Sequence, residues 1–253
     1  VTLSSSDLQA MIDASHKSGK LLVVHQNRRW DEDFLTIKDI FNRRVLGDVF
    51  RIESRVHGSR GIPGDWRQEK EHGGGMILDW GVHLFDQILQ MVPGKLEKVY
   101  ATVTNVTNEL VDDGFFADLT FYNGIVAHVE VGTSNFISLP RWYMLGRDGT
   151  AVIRDWSLNG EIVRCTDWTQ NDAVPIRTAA GLTKTMAPRT DATIHKQPLE
   201  PVHGDIHDFY HNVIATIEGK AEIIVKLSEV MRCMKLMEAV FTSAERGQTV
   251  GFE

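Results

Sequence analysis

The chain is poor in cysteine: Cys165 and Cys233 are the only two in 253 residues, and no CxxC spacing joins them. That excludes a disulfide scaffold and a thiolate zinc site, fits a reducing cytoplasm, and leaves each thiol as a small buried or half-buried side chain. No apolar run approaches the ~18 residues of a membrane span, and no charged-then-apolar leader opens the chain. Basic residues are outnumbered as well. With 27 Lys and Arg against 34 Asp and Glu the formal charge is −7, and no basic cluster is present to meet a phosphate backbone, so neither nucleic acid nor a membrane is an expected partner. There is also no Gly-x-Gly-x-x-Gly turn between an apolar strand and a helix, the arrangement that seats a dinucleotide pyrophosphate on a helix N-terminus. With 42% hydrophobic residues the chain can bury one large core, or a core with an appendage.

What is present is concentrated in Gly73-Gly74-Gly75-Met76-Ile77-Leu78-Asp79-Trp80-Gly81-Val82-His83. Three glycines open a helix on which Asp79 and His83, four residues apart, share one face. Histidine changes charge near neutral pH, and a carboxylate one turn away can orient it or hold a substrate hydroxyl, so the pair suits proton transfer. An ordinary surface pair has the same spacing. The glycines and the apolar Met76, Ile77 and Leu78 favour instead a buried helix start that presents polar groups. The glycines follow the polar stretch 67–72 rather than an apolar strand, so they do not replace the dinucleotide turn.

Along the chain, Ser4, Ser5 and Ser6 offer N-caps to a helix with Leu8, Met11, Ile12 and His16 on one side, ending at Gly19. Residues 20–25 read as a strand buried on both faces of a parallel sheet, and 33–44 as a second helix. Residues 49–57 alternate, with Val49, Arg51, Glu53 and Arg55 opposite Phe50, Ile52, Ser54 and Val56. Asn123-Gly124 marks a hairpin between 115–122 and 125–132, and Asp148-Gly149 another between 142–145 and 151–154. With 98–106 these strands make an antiparallel meander, covered on one face by helices near 74–91, 205–218 and 228–246. The expected fold class is therefore α+β: a large, mostly antiparallel sheet with helices on one face, preceded by a helix and strand left from a dinucleotide-binding domain. Residues 1–27 would be that remnant, and 28–253 a substrate-binding and oligomerisation domain. The polar stretch 167–201, with four prolines, reads as a long loop. Phe115, Ala117, Leu119 and Phe121 are expected as an exposed apolar row on the open sheet face that wants a second subunit, unless loop 167–201 covers them.

Other residues invite a binding role. Arg28 and Arg29 stand where strands of α/β folds end and ligands gather, against the plainer alternative of an ion pair with Asp31 or Glu32. Trp66 and Arg67 suit a pocket wall, an aromatic for a sugar ring and a guanidinium for its hydroxyls, although a plain packing Trp fits equally well. His203, His207 and His211 recur at i, i+4, as zinc-binding HxxxH pairs do; yet no Glu fills an HExxH position, and a helix start with Asp205 and Asp208 accounts for them. No metal site is expected, and His207 is expected to approach the substrate pocket.

Residues 73–83, with Leu84, Phe85 and Asp86, resemble the Gly-Gly-Gly-x-x-x-Asp-x-Gly-x-His signature of the Gfo/Idh/MocA oxidoreductases, which act on sugars and cyclitols with NAD or NADP. Three further segments are similar to that family in the same order: 21–29 to its strand ending in paired Arg, Asp65-Trp66-Arg67 to the Trp-Arg before its glycines, and 227–247 to its closing helix. The resemblance implies that His83 accepts a proton from a substrate hydroxyl while hydride passes to nicotinamide, and that Asp79 orients His83 and holds a neighbouring hydroxyl. On this reading Arg28, Trp66, Arg67 and His207 touch a polyhydroxylated substrate, a sugar or inositol, and Asn27 and Arg28 touch NAD or NADP. The resemblance also implies a homodimer or homotetramer joined through the open sheet face. The family's catalytic Lys lies just ahead of the segment that Val1-Thr2-Leu3 resembles; roughly 90 to 100 residues of a cofactor domain are expected to precede Val1 in the intact protein, and the isolated chain is expected to be inactive. The alternative is a non-catalytic sugar-sensing or regulatory protein of the same fold. Asp79 and His83 together favour the enzyme.

Overall fold

The computed structural model describes residues 2–169 and 173–253; Val1 and residues 170–172 of the 167–201 stretch lie outside them. Helix α1 (Ser5–Ser18) begins on Ser4, whose hydroxyl accepts from the Asp7 N–H, and ends at Gly19 with φ 66°. Its Leu8 and Ile12 are buried, while Met11 points outward. The strand expected over 20–25 does not form. Leu22, Val23 and Val24 pack partly against the core, but no strand among the described residues lies beside them to take their backbone hydrogen bonds. A 3₁₀ turn (Asn27–Trp30) leads into α2 (Glu32–Asn42), which buries Phe34, Ile37 and Ile40.

The strands are β1 (Val49–His57), β2 (Leu96–Thr104), β3 (Gly114–Phe121), β4 (Val126–Gly132), β5 (Trp142–Gly146), β6 (Gly149–Ile153), β7 (Gly160–Cys165), β8 (Ile176–Thr178), β9 (Gly181–Thr183), β10 (Ile194–Pro198) and β11 (Val250–Gly251). Nine of them form one sheet in the order β10-β7-β6-β5-β1-β4-β3-β2-β11, and β8 and β9 form a separate hairpin. Every pair in the large sheet is antiparallel except β1 with β4, which run parallel with Ile52 beside Ala127 and Val56 beside Val131. Both expected hairpins are present, Gly124 supplying the left-handed residue (φ 87°) of the β3–β4 turn. The 167–201 stretch is only partly loop, since β10 within it pairs with β7 and extends the sheet edge.

Helices α3 (Val82–Met91) and α5 (Leu227–Arg246) lie on one face of the sheet, with α2 beside α3; α1 packs on α5 from outside, and α4 (His207–Ile217) follows in the chain before α5. Leu84, Phe85 and Ile88 of α3 and Met234, Met237 and Val240 of α5 are almost wholly buried. They share one core with Phe115, Ala117, Leu119 and Phe121, the row expected to face a second subunit, none of which is more than 1% exposed. The period of two is as expected but the assignment of faces is reversed, because the apolar row is the one the helices require. Phe116, Asp118 and Thr120 lie on the open face instead. There Arg51, Glu53, Arg55, His57, Asp118, His128 and Glu130 form a chain of ion pairs, with Arg55 3.0 Å and His57 3.1 Å from Glu130. Hydrogen bonds to Asp118 and Glu130 push His128 up to about 9, which makes it a cation at neutral pH. No helix among the described residues is long and apolar enough to cross a membrane.

Candidate active site

The three glycines clamp two segments together. A Cβ on Gly74 would lie 2.4 Å from the Arg67 carbonyl oxygen, and one on Gly75, whose φ is 101°, would lie 2.2 Å from Asp112 Oδ1. The close approach lets the Gly75 N–H donate to the Arg67 carbonyl at 2.9 Å. On the far side the Asp112 carbonyl accepts from Met76 N–H at 3.0 Å and its carboxylate from Ile77 N–H at 2.8 Å, which satisfies donors that a helix start leaves open. Burial pushes Asp112 up to about 6.

Residues Ile77–Gly81 form one π turn before α3 begins. Asp79 lies inside that turn and His83 in the first turn of the α-helix that follows it. Asp79 receives a hydrogen bond from Arg67 Nε at 2.9 Å, and among the described residues none joins it to His83. Asp79 is therefore oriented by Arg67, which Asp65 also holds at 2.9 Å, and does not itself orient the imidazole. His83 is half-buried, its ring edge-on to Trp80 at a centroid distance of 6.2 Å, with Nδ1 withdrawn from solvent and unpartnered. Burial, aided by the Arg28 charge, lowers it to about 4, so the ring is neutral at pH 7 and free to accept a proton.

Arg28 satisfies both readings of it. Its guanidinium lies 4.1 Å over Trp80 and pairs with Asp31 at 3.0 Å, while it also lines the cavity. Arg29 turns away to a two-pronged pair with Asp86 (both 2.7 Å) and a third contact with Glu229 (2.8 Å); burial works against its charge, and these partners hold it on. It is a structural residue tying α3 to α5.

The cavity beside Asp79 has a volume of about 610 Å³, and its polar and aromatic wall is Arg28, His57, Arg67, Asp79, Trp80 and Trp156. His83 adjoins that wall through its edge-on contact with Trp80. Trp66, stacked under Arg67 at 4.6 Å and 41% exposed, supports the wall from outside the cavity. The structure does not bring Asn27 or His207 there: Asn27 is exposed at the start of its 3₁₀ turn, and His207 is exposed at the start of α4, bonded to Asp205 at 2.7 Å. His203 pairs with Glu32, and among the described residues no three His, Cys, Asp or Glu gather as a metal site.

Behind the wall runs a network that no sequence spacing announced. Arg141, only 3% exposed, donates to Ser54 Oγ (2.7 Å) and Gln87 Oε1 (3.1 Å) and lies 3.0 Å from Asp33, which also accepts from Trp142 Nε1 (2.8 Å). Gln87 in turn donates to the Arg28 carbonyl at 2.8 Å. The position of Arg28 is thus fixed from β1, β5, α2 and α3.

The chain is similar to known proteins. The model of the GFO/IDH/MocA C-terminal domain family matches residues 34–152. A solved structure of an NAD-binding protein from Listeria innocua superposes with a TM-score of 0.95 at 48% identity, over 99% of this chain and 72% of that one. The scyllo-inositol 2-dehydrogenase (NADP(+)) IolW of Bacillus subtilis is 23% identical over 256 residues, 100% of this chain and 70% of that protein. The Escherichia coli oxidoreductase YdgJ is 27% identical, over 99% of this chain and 71% of its own length. With the glycine clamp, the Asp79 and His83 helix and a helix-backed sheet all in place, the chain belongs to the GFO/IDH/MocA family of oxidoreductases.

Proposed function

We propose that this chain is the substrate-binding and subunit-contact part of a cytoplasmic NAD- or NADP-dependent dehydrogenase that oxidises a CH–OH group of a sugar or cyclitol. Residues 1–27 close its cofactor domain and 28–253 form the domain described above. The observation that carries this reading is Asp79, held on the cavity wall by Arg67, in the turn that leads directly into the helix bearing the neutral imidazole of His83. A charge-assisted carboxylate suits a substrate hydroxyl, and the Trp80 ring suits the apolar face of a sugar.

Arg28 lines the cavity and its Nε is buried with no partner among the described residues, so it would hold the nicotinamide end of a cofactor there, while Asn27, before it in the same 3₁₀ turn, is exposed and would meet the cofactor outside the cavity. Bound nicotinamide supplies the hydride acceptor. Asp79 accepts a hydrogen bond from the hydroxyl next to the reacting carbon, and His83 takes the proton of the reacting hydroxyl on a ring nitrogen. Trp80 keeps water from the imidazole, whose burial is what leaves it neutral.

The test is His83→Asn in the protein joined to its cofactor domain. Asn keeps a hydrogen-bonding edge but takes no proton, so kcat should fall roughly 10²- to 10⁴-fold with the melting temperature little changed. Turnover within a few-fold of wild type across the active pH range would remove His83 from the mechanism. Subunit contact through the open face belongs to the same proposal: Tyr100 and Phe116 stand there 37% and 38% exposed, flanking the ion-paired centre.

A further inference from the structure

The wall of the cavity contains one large side chain that the proton-transfer chemistry does not use. Trp156 sits in the turn between β6 and β7, and that turn is closed without help from its indole. The Asp155 carboxylate accepts from the N–H groups of Ser157 (2.9 Å) and Asn159 (3.3 Å) and from Asn159 Nδ2 (2.8 Å), while Arg154 N–H donates to the Asn159 carbonyl at 2.7 Å. Leu158 packs toward the core. The indole itself is 53% exposed and borders the cavity. The exposed part of the ring is therefore open to a ligand in the cavity rather than committed to closing the turn.

Its setting is that of a held platform. The guanidinium of Arg141 lies 5.0 Å from the Trp156 ring and that of Arg28 5.8 Å, and the Trp80 ring is tilted 42° to it at a centroid distance of 6.0 Å. Arg141 is buried and bonded to Ser54 and Gln87, so one support of the indole is fixed in the core. The Trp80 centroid is 6.2 Å from the imidazole and 6.0 Å from the second indole. Arg67, Asp79, Trp80 and Trp156 all line the one cavity, so a ring bonded at Asp79 and Arg67 shares it with both indoles. The cavity, floored by Gly58, Gly61 and Gly132, has ample volume for a ligand larger than a single six-membered polyol.

The geometry points to Trp156 as a specificity-determining residue that stacks a second sugar ring, so that the substrate is a glycoside rather than a free monosaccharide or cyclitol. The inference rests on the polyol reading of the same cavity. Indole faces attract the polarised C–H groups of a sugar ring, and two flat aromatics set at an angle suit two linked rings better than one.

Tryptophan fluorescence and ligand-observed NMR titrations of this chain with D-glucose, myo-inositol, maltose, cellobiose and trehalose test it. At least one disaccharide should bind roughly three- to tenfold more tightly than D-glucose. Trp156→Ala should abolish the preference for that disaccharide over D-glucose, and Trp156→Phe should keep most of it. No disaccharide exceeding D-glucose, or a Trp156→Ala chain that loses both sugars equally, overturns the platform while leaving the polyol reading intact. Failure of all five ligands to bind overturns both. The substitution lies in an exposed turn closed by Asp155, so circular dichroism should show an unchanged fold.

Discussion

Replacing Asp112 with Asn should free the protein from a loss of stability that accompanies rising pH. The carboxyl is 8% exposed, and burial raises its folded pKa to about 6 from the ordinary value of 3.8. Between those two values the native chain holds a proton that the unfolded chain has released, so stability falls as pH rises through the window. The group's contribution is complete below about pH 4 and lost above its folded value. A shift of about two pH units corresponds to about 3 kcal/mol at ~1.4 kcal/mol per unit. Asn retains an oxygen for the Ile77 N–H and carries no charge to desolvate. The variant should therefore match the parent near pH 4 and exceed it by up to about 3 kcal/mol near pH 8, or roughly 6–12 °C in melting temperature for a chain of this length. Glu53, Asp118 and Glu130 are shifted the other way and give stability that grows with pH, but they act in both proteins and cancel in the difference. Paired urea melts at half-unit intervals measure that difference. A difference that stays flat with pH, or an Asn variant weaker at pH 8, refutes the argument that desolvation of Asp112 opposes its role at the helix start.

The two faces of the sheet give opposite responses to substitution. Leu119→Ala should cost about 2–5 kcal/mol in urea melts because it opens a cavity under α5. Phe116→Glu should keep the fold and split any oligomer in sedimentation at tens of micromolar; an unchanged oligomer removes the open face as the contact. The chain as it stands should bind NAD(H) and NADP(H) too weakly for calorimetry, and a micromolar Kd, about −8 kcal/mol, would show that the pyrophosphate turn is dispensable.

Local grammar made much of this fold legible. The cap on Ser4, the stop at Gly19 and the Asn123-Gly124 turn each follow from interactions within a few residues and are found where expected, while the alternation expected over 49–57 holds only from Arg51 onward, since a bulge between Val49 and Arg51 leaves Phe50 exposed. Alternation tells which residues share a face but not which face is covered, and that is why the row from Phe115 to Phe121 was placed on the wrong side. Residues 20–25 have the composition of a buried strand, yet a strand exists only where a neighbour takes its hydrogen bonds. At the site, the sequence singled out Arg28, Arg67, Asp79 and His83. It did not show the π turn that carries Asp79, nor Trp156 and His57 on the wall. The network through Asp33, Ser54, Gln87 and Arg141 joins four elements over about a hundred positions, and no local pattern encodes it.

The parallel seam between β1 and β4 sets a problem of timing. β1 is complete at residue 57, but the strands on its two sides begin at residues 126 and 142. During synthesis at ~5–20 residues per second, both edges of this central strand stay unpaired for roughly 5–20 s before β5 has emerged. An unpaired strand of that length is an invitation to pair with another nascent chain. Arg51, Glu53 and Arg55 stand at every second position along it. The charges that knit the finished open face are thus also guards for a waiting strand, since they repel or solvate neighbours until Glu130 arrives to pair with Arg55.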